Sequence, residues 1–234
     1  METVTVSKHV SELSTTWAYM AMISLSAFLV LLILLHVLKT DLDPTWHMVS
    51  EYAIGRYGWM MQVAFVCLAF SCISIAIAGW PQVMTTGGKI GMVLLVIAAI
   101  GLTIAAFNNT DPANTLKVDM SPHGKMHGFG FMIGVPSLTI AAVLINLSLR
   151  NNPGWEWAKQ SLFWSGQLPW ISVVAMVTTL LIFLPKNDGK FGPTVVVGLP
   201  NRLWVLACCV CLAIIAFGVI KLKKEQVRTT GIQI

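Results

Sequence analysis

Six uninterrupted apolar runs constrain this chain more than any other feature of it. They lie at Trp17–Leu38, Tyr57–Gly79, Ile90–Phe107, Met126–Leu149, about Leu162–Leu184 and Leu203–Leu222. About 20 residues of α-helix cross a hydrocarbon core of about 30 Å. Lipid offers no partner for an open backbone group, so runs of this kind are read as helices. The expected fold is an all-α integral membrane protein, a six-transmembrane-helix bundle forming one membrane domain over residues 1–234, with tails at 1–16 and 223–234. Only 11% of the residues are charged, which leaves little for a soluble domain.

The first run follows a leader with Lys8 and His9 and ends without a small-residue cleavage site, so it reads as a retained span. Cys67, Cys72, Cys208, Cys209 and Cys211 all fall inside runs, where they read as small polarizable core residues and not as a disulfide framework. Six spans put both termini on one side. The dense cluster Lys221, Lys223, Lys224 and Arg228 beside the last span predicts that this side is cytoplasmic. No aromatic and basic residues interleave as a nucleic-acid binder requires. No ionisable residue falls at the centre of a span, which argues against coupled ion transport.

The polar residues are distributed unevenly. Three loops lie opposite the termini, at 39–56, 108–125 and 185–202. They hold Asp41, Asp43, Glu51, Asp111, Asp119 and Asp188, six of the ten acidic residues, with His47 and His123; His127 lies at the very start of the fourth span and His36 one turn inside the first. Asp43-Pro44 reads as a helix cap followed by proline at the first helical position, predicting a helix from there toward Gly79. Such a helix is longer than a bilayer is thick, so it must project, tilt or break, and Gly55 and Gly58 are the natural break points. Its first turns place His47, Ser50 and Glu51 on one face. Ser121-Pro122 repeats the device, with His123 and His127 stacked one turn apart. Asn108 and Asp111 end the third run at the same depth. The loop at 185–202 carries a turn at Asn187-Asp188-Gly189 and a β-prone run at Thr194–Val197, read as a packed loop or a lid. Trp155–Trp164 has the aromatic and basic character of an interfacial anchor.

The block H-x-x-S-E-Y-A-x-G-x-Y-G at His47–Gly58, the polar end of the third run at Asp111, the His-rich start of the fourth and the G-L-x-x-R element at Gly198, Leu199 and Arg202 resemble one family. It is domain of unknown function 998, a group of bacterial and archaeal multi-span membrane proteins. That resemblance covers about residues 17–224 and implies a six-helix bundle, here in a bacterial inner membrane, without implying an activity. A looser similarity of residue types links the chain to alkaline ceramidases and adiponectin-type receptors, which hold zinc with three histidines beside a serine and an aspartate. On that likeness His47, His123 and His127 are the expected zinc ligands, with Ser50 and Asp111 as polar partners.

Three function classes stay open on the residues. A catalytic zinc takes three protein ligands and keeps one open position, where bound water ionises near neutral pH. Ser50, Glu51 and Asp111 would then be the catalytic side chains of a metal-dependent lipid hydrolase, with Arg202, Tyr52 and Asn108 on the substrate headgroup. The alternative is a non-enzymatic lipid-binding or accessory protein with the same pocket. The third is haem or quinone electron transfer, pairing His36 with His123 or His127. In the first two classes the partner is a membrane lipid.

Overall fold

The computed structural model describes residues 10–231; the leader residues Lys8 and His9 lie outside them. Six helices are long and apolar enough to cross a membrane. They are α1 (Glu12–Leu38), α2 (Gly58–Gly79), α3 (Thr86–Phe107), α4 (Pro122–Arg150), α5 (Lys159–Lys186) and α6 (Gly198–Gly231), with short 3-10 turns at Val49–Ala53 and Pro153–Ala158. No strand occurs among the described residues.

Apolar side chains gain nothing from leaving lipid for a protein core, so close packing and interhelical hydrogen bonds hold such a bundle together. The α3–α4 contact shows this most directly. A Cβ on Gly101 would come 2.6 Å from the Gly130 carbonyl oxygen, so the two helices touch backbone to backbone. Phe28, Met61, Leu68, Ile75, Met92, Leu95, Leu138 and Ile145 fill the centre. Polar links join the helices at two levels: Trp204 Nε1 donates to Thr139 Oγ1 at 2.9 Å, and Asn146 Nδ2 donates to Ser165 Oγ at 3.1 Å. Among the helices α5 packs mainly on α4 and α6, and it presents Leu168, Ile171, Val174, Val177 and Leu181 outward.

Several elements differ from expectation. α1 starts at Glu12, ahead of its apolar run, capped by Ser11 Oγ accepting from Ser14 N at 3.0 Å. α6 continues to Gly231, so most of the expected C-terminal tail is helix. It is tied to α1 by the Lys223–Glu12 ion pair at 2.7 Å and by Val10 N donating to Gln226 Oε1 at 3.0 Å. The helix expected from Asp43 does not form. Asp43 Oδ1 instead accepts from Thr45 N at 2.9 Å and Thr45 Oγ1 at 2.7 Å, closing a local turn that competes with helix. The chain then makes only the 49–53 turn before Gly55 (φ 71°) and Tyr57 (φ 65°) reverse it into α2. The break therefore falls at the glycines named from sequence. Thr194–Val197 makes no strand; Val195 and Val197 are buried against Met176 and Phe131. The aromatic segment at 155–164 is the 153–158 turn and the start of α5: Trp155 is buried, while Trp157 and Trp164 face outward.

Candidate functional site

The block at His47–Gly58 folds into a short cap wedged between the end of α1 and the start of α6. Glu51 organises it. One carboxylate oxygen accepts from Met48 N at 2.9 Å and the other pairs with His47 Nδ1 at 2.9 Å, and Glu51 is only 4% exposed. The His47–Glu51 contact assigns the proton to Nδ1. Trp46 lies on the imidazole, with ring centroids 3.5 Å apart. Lys39, at the end of α1, reaches beneath the turn and donates to the carbonyls of Tyr52, at 3.2 Å, and Ile54. Burial pushes its amine below the ordinary value. Asn201, in the first turn of α6, accepts from Val49 N at 2.9 Å. The Gly58 position tolerates no side chain, because a Cβ there would come 2.1 Å from the Ala53 carbonyl oxygen.

Arg202 pins this cap to both helices. Its Nε donates to His36 Nε2 at 2.9 Å, Nη1 to the carbonyls of His47 at 2.6 Å and Gly198 at 3.1 Å, and Nη2 to Tyr52 Oη at 3.0 Å. A guanidinium has five N–H groups, so one is left over. His36 Nδ1 donates to Leu32 O at 2.7 Å, which leaves Nε2 as the acceptor that Arg202 uses. Both ring nitrogens of His36 are thus engaged. No carboxylate forms an ion pair with Arg202 among the described residues. Asp43 feels the Arg202 charge at longer range, and its carboxyl is held below the usual range chiefly by the Thr45 amide and then the Thr45 hydroxyl.

A second group gathers where α3 meets α4. Ser121 caps α4 by accepting from Gly124 N at 2.9 Å, with Pro122 following it, as the sequence suggests. Asp111 accepts from Ser121 N at 2.9 Å and lies against Gly124, where a Cβ would come 2.0 Å from its carboxylate. Asn108 serves both histidines: its side-chain oxygen takes His123 Nδ1 at 3.1 Å and its carbonyl takes His127 Nδ1 at 2.8 Å. His123 is exposed and borders an open polar groove with Gln62, Asn109 and Asp111. His127 is buried and turns inward.

His127 and Ser50 meet at one cavity. It has a volume of about 60 Å³ and lies within the bundle, beneath the cap. Phe28, Phe65, Leu102, Phe131, Val135 and Trp204 form apolar walls, and Ser50, His127 and Asn201 are the polar groups on its border. Met48 and Phe131, also in its wall, are backed by Val195 and Val197 of the loop before α6. That loop is clasped to the α3–α4 loop by Asn114, which donates to Phe191 O at 3.0 Å and accepts from Phe191 N at 2.7 Å.

The nine candidate side chains therefore fall into three places. His47, Glu51, Tyr52 and Arg202 build the cap, Asn108, Asp111 and His123 close the α3–α4 end, and Ser50 and His127 share the cavity. Among the described residues no three His, Cys, Asp or Glu side chains form a group able to hold a metal ion. The expected zinc set of His47, His123 and His127 is not brought together, and the residues do not fit that ion. Sequence reasoning passed over Lys39 and Asn201 and took His36 only as a haem ligand. An amide and a cation side by side at the head of an apolar span, Asn201-Arg202, are the signal that marks the α6 half of the cap.

Fold and site define a multi-pass α-helical membrane protein whose polar groups are concentrated at one end of the bundle. The chain belongs to the family described as protein of unknown function (DUF998), whose model matches residues 22–218. No curated protein and no solved structure matches it, and the comparisons give no support to the looser likeness to alkaline ceramidases and adiponectin-type receptors.

Proposed function

We propose that this protein binds a membrane lipid without catalysing its turnover, seating part of one chain in the cavity beneath the cap. The observation that carries this reading is the cavity itself, apolar on its walls and bordered by Ser50, His127 and Asn201 at the end of the bundle where the titratable groups collect. By the room a water needs, about 60 Å³ holds about four waters, or the equivalent short run of methylenes. The lipid's ester or hydroxyl would meet Ser50, whose hydroxyl has no hydrogen-bond partner among the described residues, and the ring of His127.

Binding is favoured over hydrolysis by how the polar groups are used. Glu51 and Asp111 accept from backbone amides, and Arg202 has four of its five N–H groups bonded within the fold. Groups committed in this way hold a shape, and the atoms that make these bonds are not available to move a proton or stabilise a forming charge. The basic cluster at the end of α6 supports a cytoplasmic placement of both termini in a bacterial inner membrane, with the cavity end facing out.

Native mass spectrometry of the detergent-purified protein tests the reading. The wild type is expected to retain more lipid per chain than Ala105→Phe, which fills the cavity from α3 and is expected to melt at or above the wild-type temperature. Equal retention by the two proteins contradicts the proposal. Release of fatty acid from the retained lipid on incubation contradicts its non-catalytic part.

A further inference from the structure

At the opposite end of the bundle, Arg150 in the last turn of α4 presents a guanidinium without an acceptor. Among the described residues it has no hydrogen bond and no ion pair, and its Nε is buried and unsatisfied. The guanidinium lies over an aromatic face, 5.0 Å from the Phe163 ring centroid. A buried N–H is costly to leave unsatisfied, and the planar fork of a half-buried guanidinium matches the oxygens of a phosphate.

Arg150 lines an open pocket of about 320 Å³ with Asn151, Asn152, Pro153, Glu156 and Lys159. Lys159 is paired with Glu156 at 2.5 Å, so the pocket's one carboxylate is already neutralised and Arg150 leaves a net positive charge. The Lys159 amine beside it holds the Glu156 carboxyl below the usual range. The residues around the pocket have the character of a membrane interface. Trp157 and Trp164, on the adjoining turn and helix, are 41% and 50% exposed, as interfacial tryptophans are, and Lys221 Nζ lies 4.0 Å from the Trp157 ring centroid.

We propose that this pocket binds the phosphate of an anionic membrane lipid, with Arg150 as the principal ligand. The site is independent of the cavity beneath the cap, being at the other end of α4. The test uses the full chain, delipidated in detergent and titrated with phosphatidylglycerol or phosphatidylcholine under native mass spectrometry. Wild type is expected to prefer phosphatidylglycerol. Arg150→Gln is expected to weaken that lipid about tenfold, about 1.4 kcal/mol, and to leave phosphatidylcholine unchanged. Arg150→Lys restores only part, since an ammonium lacks the fork. Lys224→Gln, on the exposed last turns of α6, and Ala105→Phe, in the cavity, leave the preference intact. Because Arg150 makes no internal hydrogen bond, both of its variants are expected to melt like wild type. Unchanged phosphatidylglycerol binding in Arg150→Gln, or an equal loss for both lipids, overturns the proposal. Inorganic phosphate is the competing arm: displacement of phosphatidylglycerol by about 1 mM phosphate would assign the site to a free anion and overturn the lipid source.

Discussion

Replacing Arg202 by glutamine separates a structural pin from a ligand-binding residue. The side chain makes four hydrogen bonds, to His36 Nε2, His47 O, Gly198 O and Tyr52 Oη, joining α1, the cap and α6. Bonds from a charged donor contribute about 1.5–3 kcal/mol each, which would sum to about 6–12 kcal/mol if they were independent. They are not independent. Arg202 is half-buried, water can replace part of what is lost, and freeing the side chain returns up to about 2 kcal/mol of entropy. The expected loss is therefore about 3–5 kcal/mol, in the range for removing one partner of a buried charged network. The assay is equilibrium unfolding by sodium dodecyl sulfate in mixed micelles, followed by circular dichroism. Arg202→Lys is expected to lose less than Arg202→Gln, because an ammonium can still reach one or two of the carbonyls. A double-mutant cycle with Tyr52→Phe is expected to show coupling above about 0.5 kcal/mol, as for residues sharing a network. If Arg202→Gln unfolds within about 0.5 kcal/mol of wild type, like an ordinary surface substitution, the cap is not held as described.

Three further outcomes follow from the same geometry. Gly58→Ala places a Cβ 2.1 Å from the Ala53 carbonyl oxygen, and neither backbone can yield, so a loss of several kcal/mol is expected in the same unfolding assay. Asn114→Ala removes both bonds of the clasp on Phe191, so faster proteolysis of the 187–197 loop and faster lipid exchange are expected at nearly unchanged global stability. Asp43 has a folded pKa below its ordinary value of 3.8, so its contribution is fully present above that value and is lost as the pH falls through the lower folded one. Melting curves of Asp43→Ala and wild type should accordingly differ at pH 6 and converge well below pH 3.8.

The helices were legible because a transmembrane span writes its length into the chain. Ser121-Pro122 marked the start of α4 and Gly55 and Gly58 marked the break before α2, each by a local rule that lipid does not override. Asp43-Pro44 misled for a physical reason: the cap signal was real, but the carboxylate closes a turn on Thr45 because the segment is held from outside by α6. Leu199 N donates to Thr45 O at 3.2 Å, and no periodicity in residues 43–58 contains that contact. The site was legible as a set of residues at one depth and not as a constellation. His123 and His127 sit one turn apart, yet their imidazoles line different spaces, because Asn108 fixes one through its side chain and the other through its carbonyl. Arg202 likewise has the residue type of a headgroup ligand. Only the position of His36, far away in the chain, shows that an internal acceptor awaits it.

The most direct test of the lipid-binding account is photo-crosslinking with a phosphatidylcholine carrying a diazirine on one chain, followed by peptide mapping of the labelled residues. Cavity occupancy predicts labelling of the α4 and α6 segments around Phe131, Val135 and Trp204 that is suppressed by unlabelled lipid and by Ala105→Phe. Labelling confined to the outward face of α5, at residues such as Ile171 and Leu181, and indifferent to competitor, would show that lipid meets this protein only as solvent.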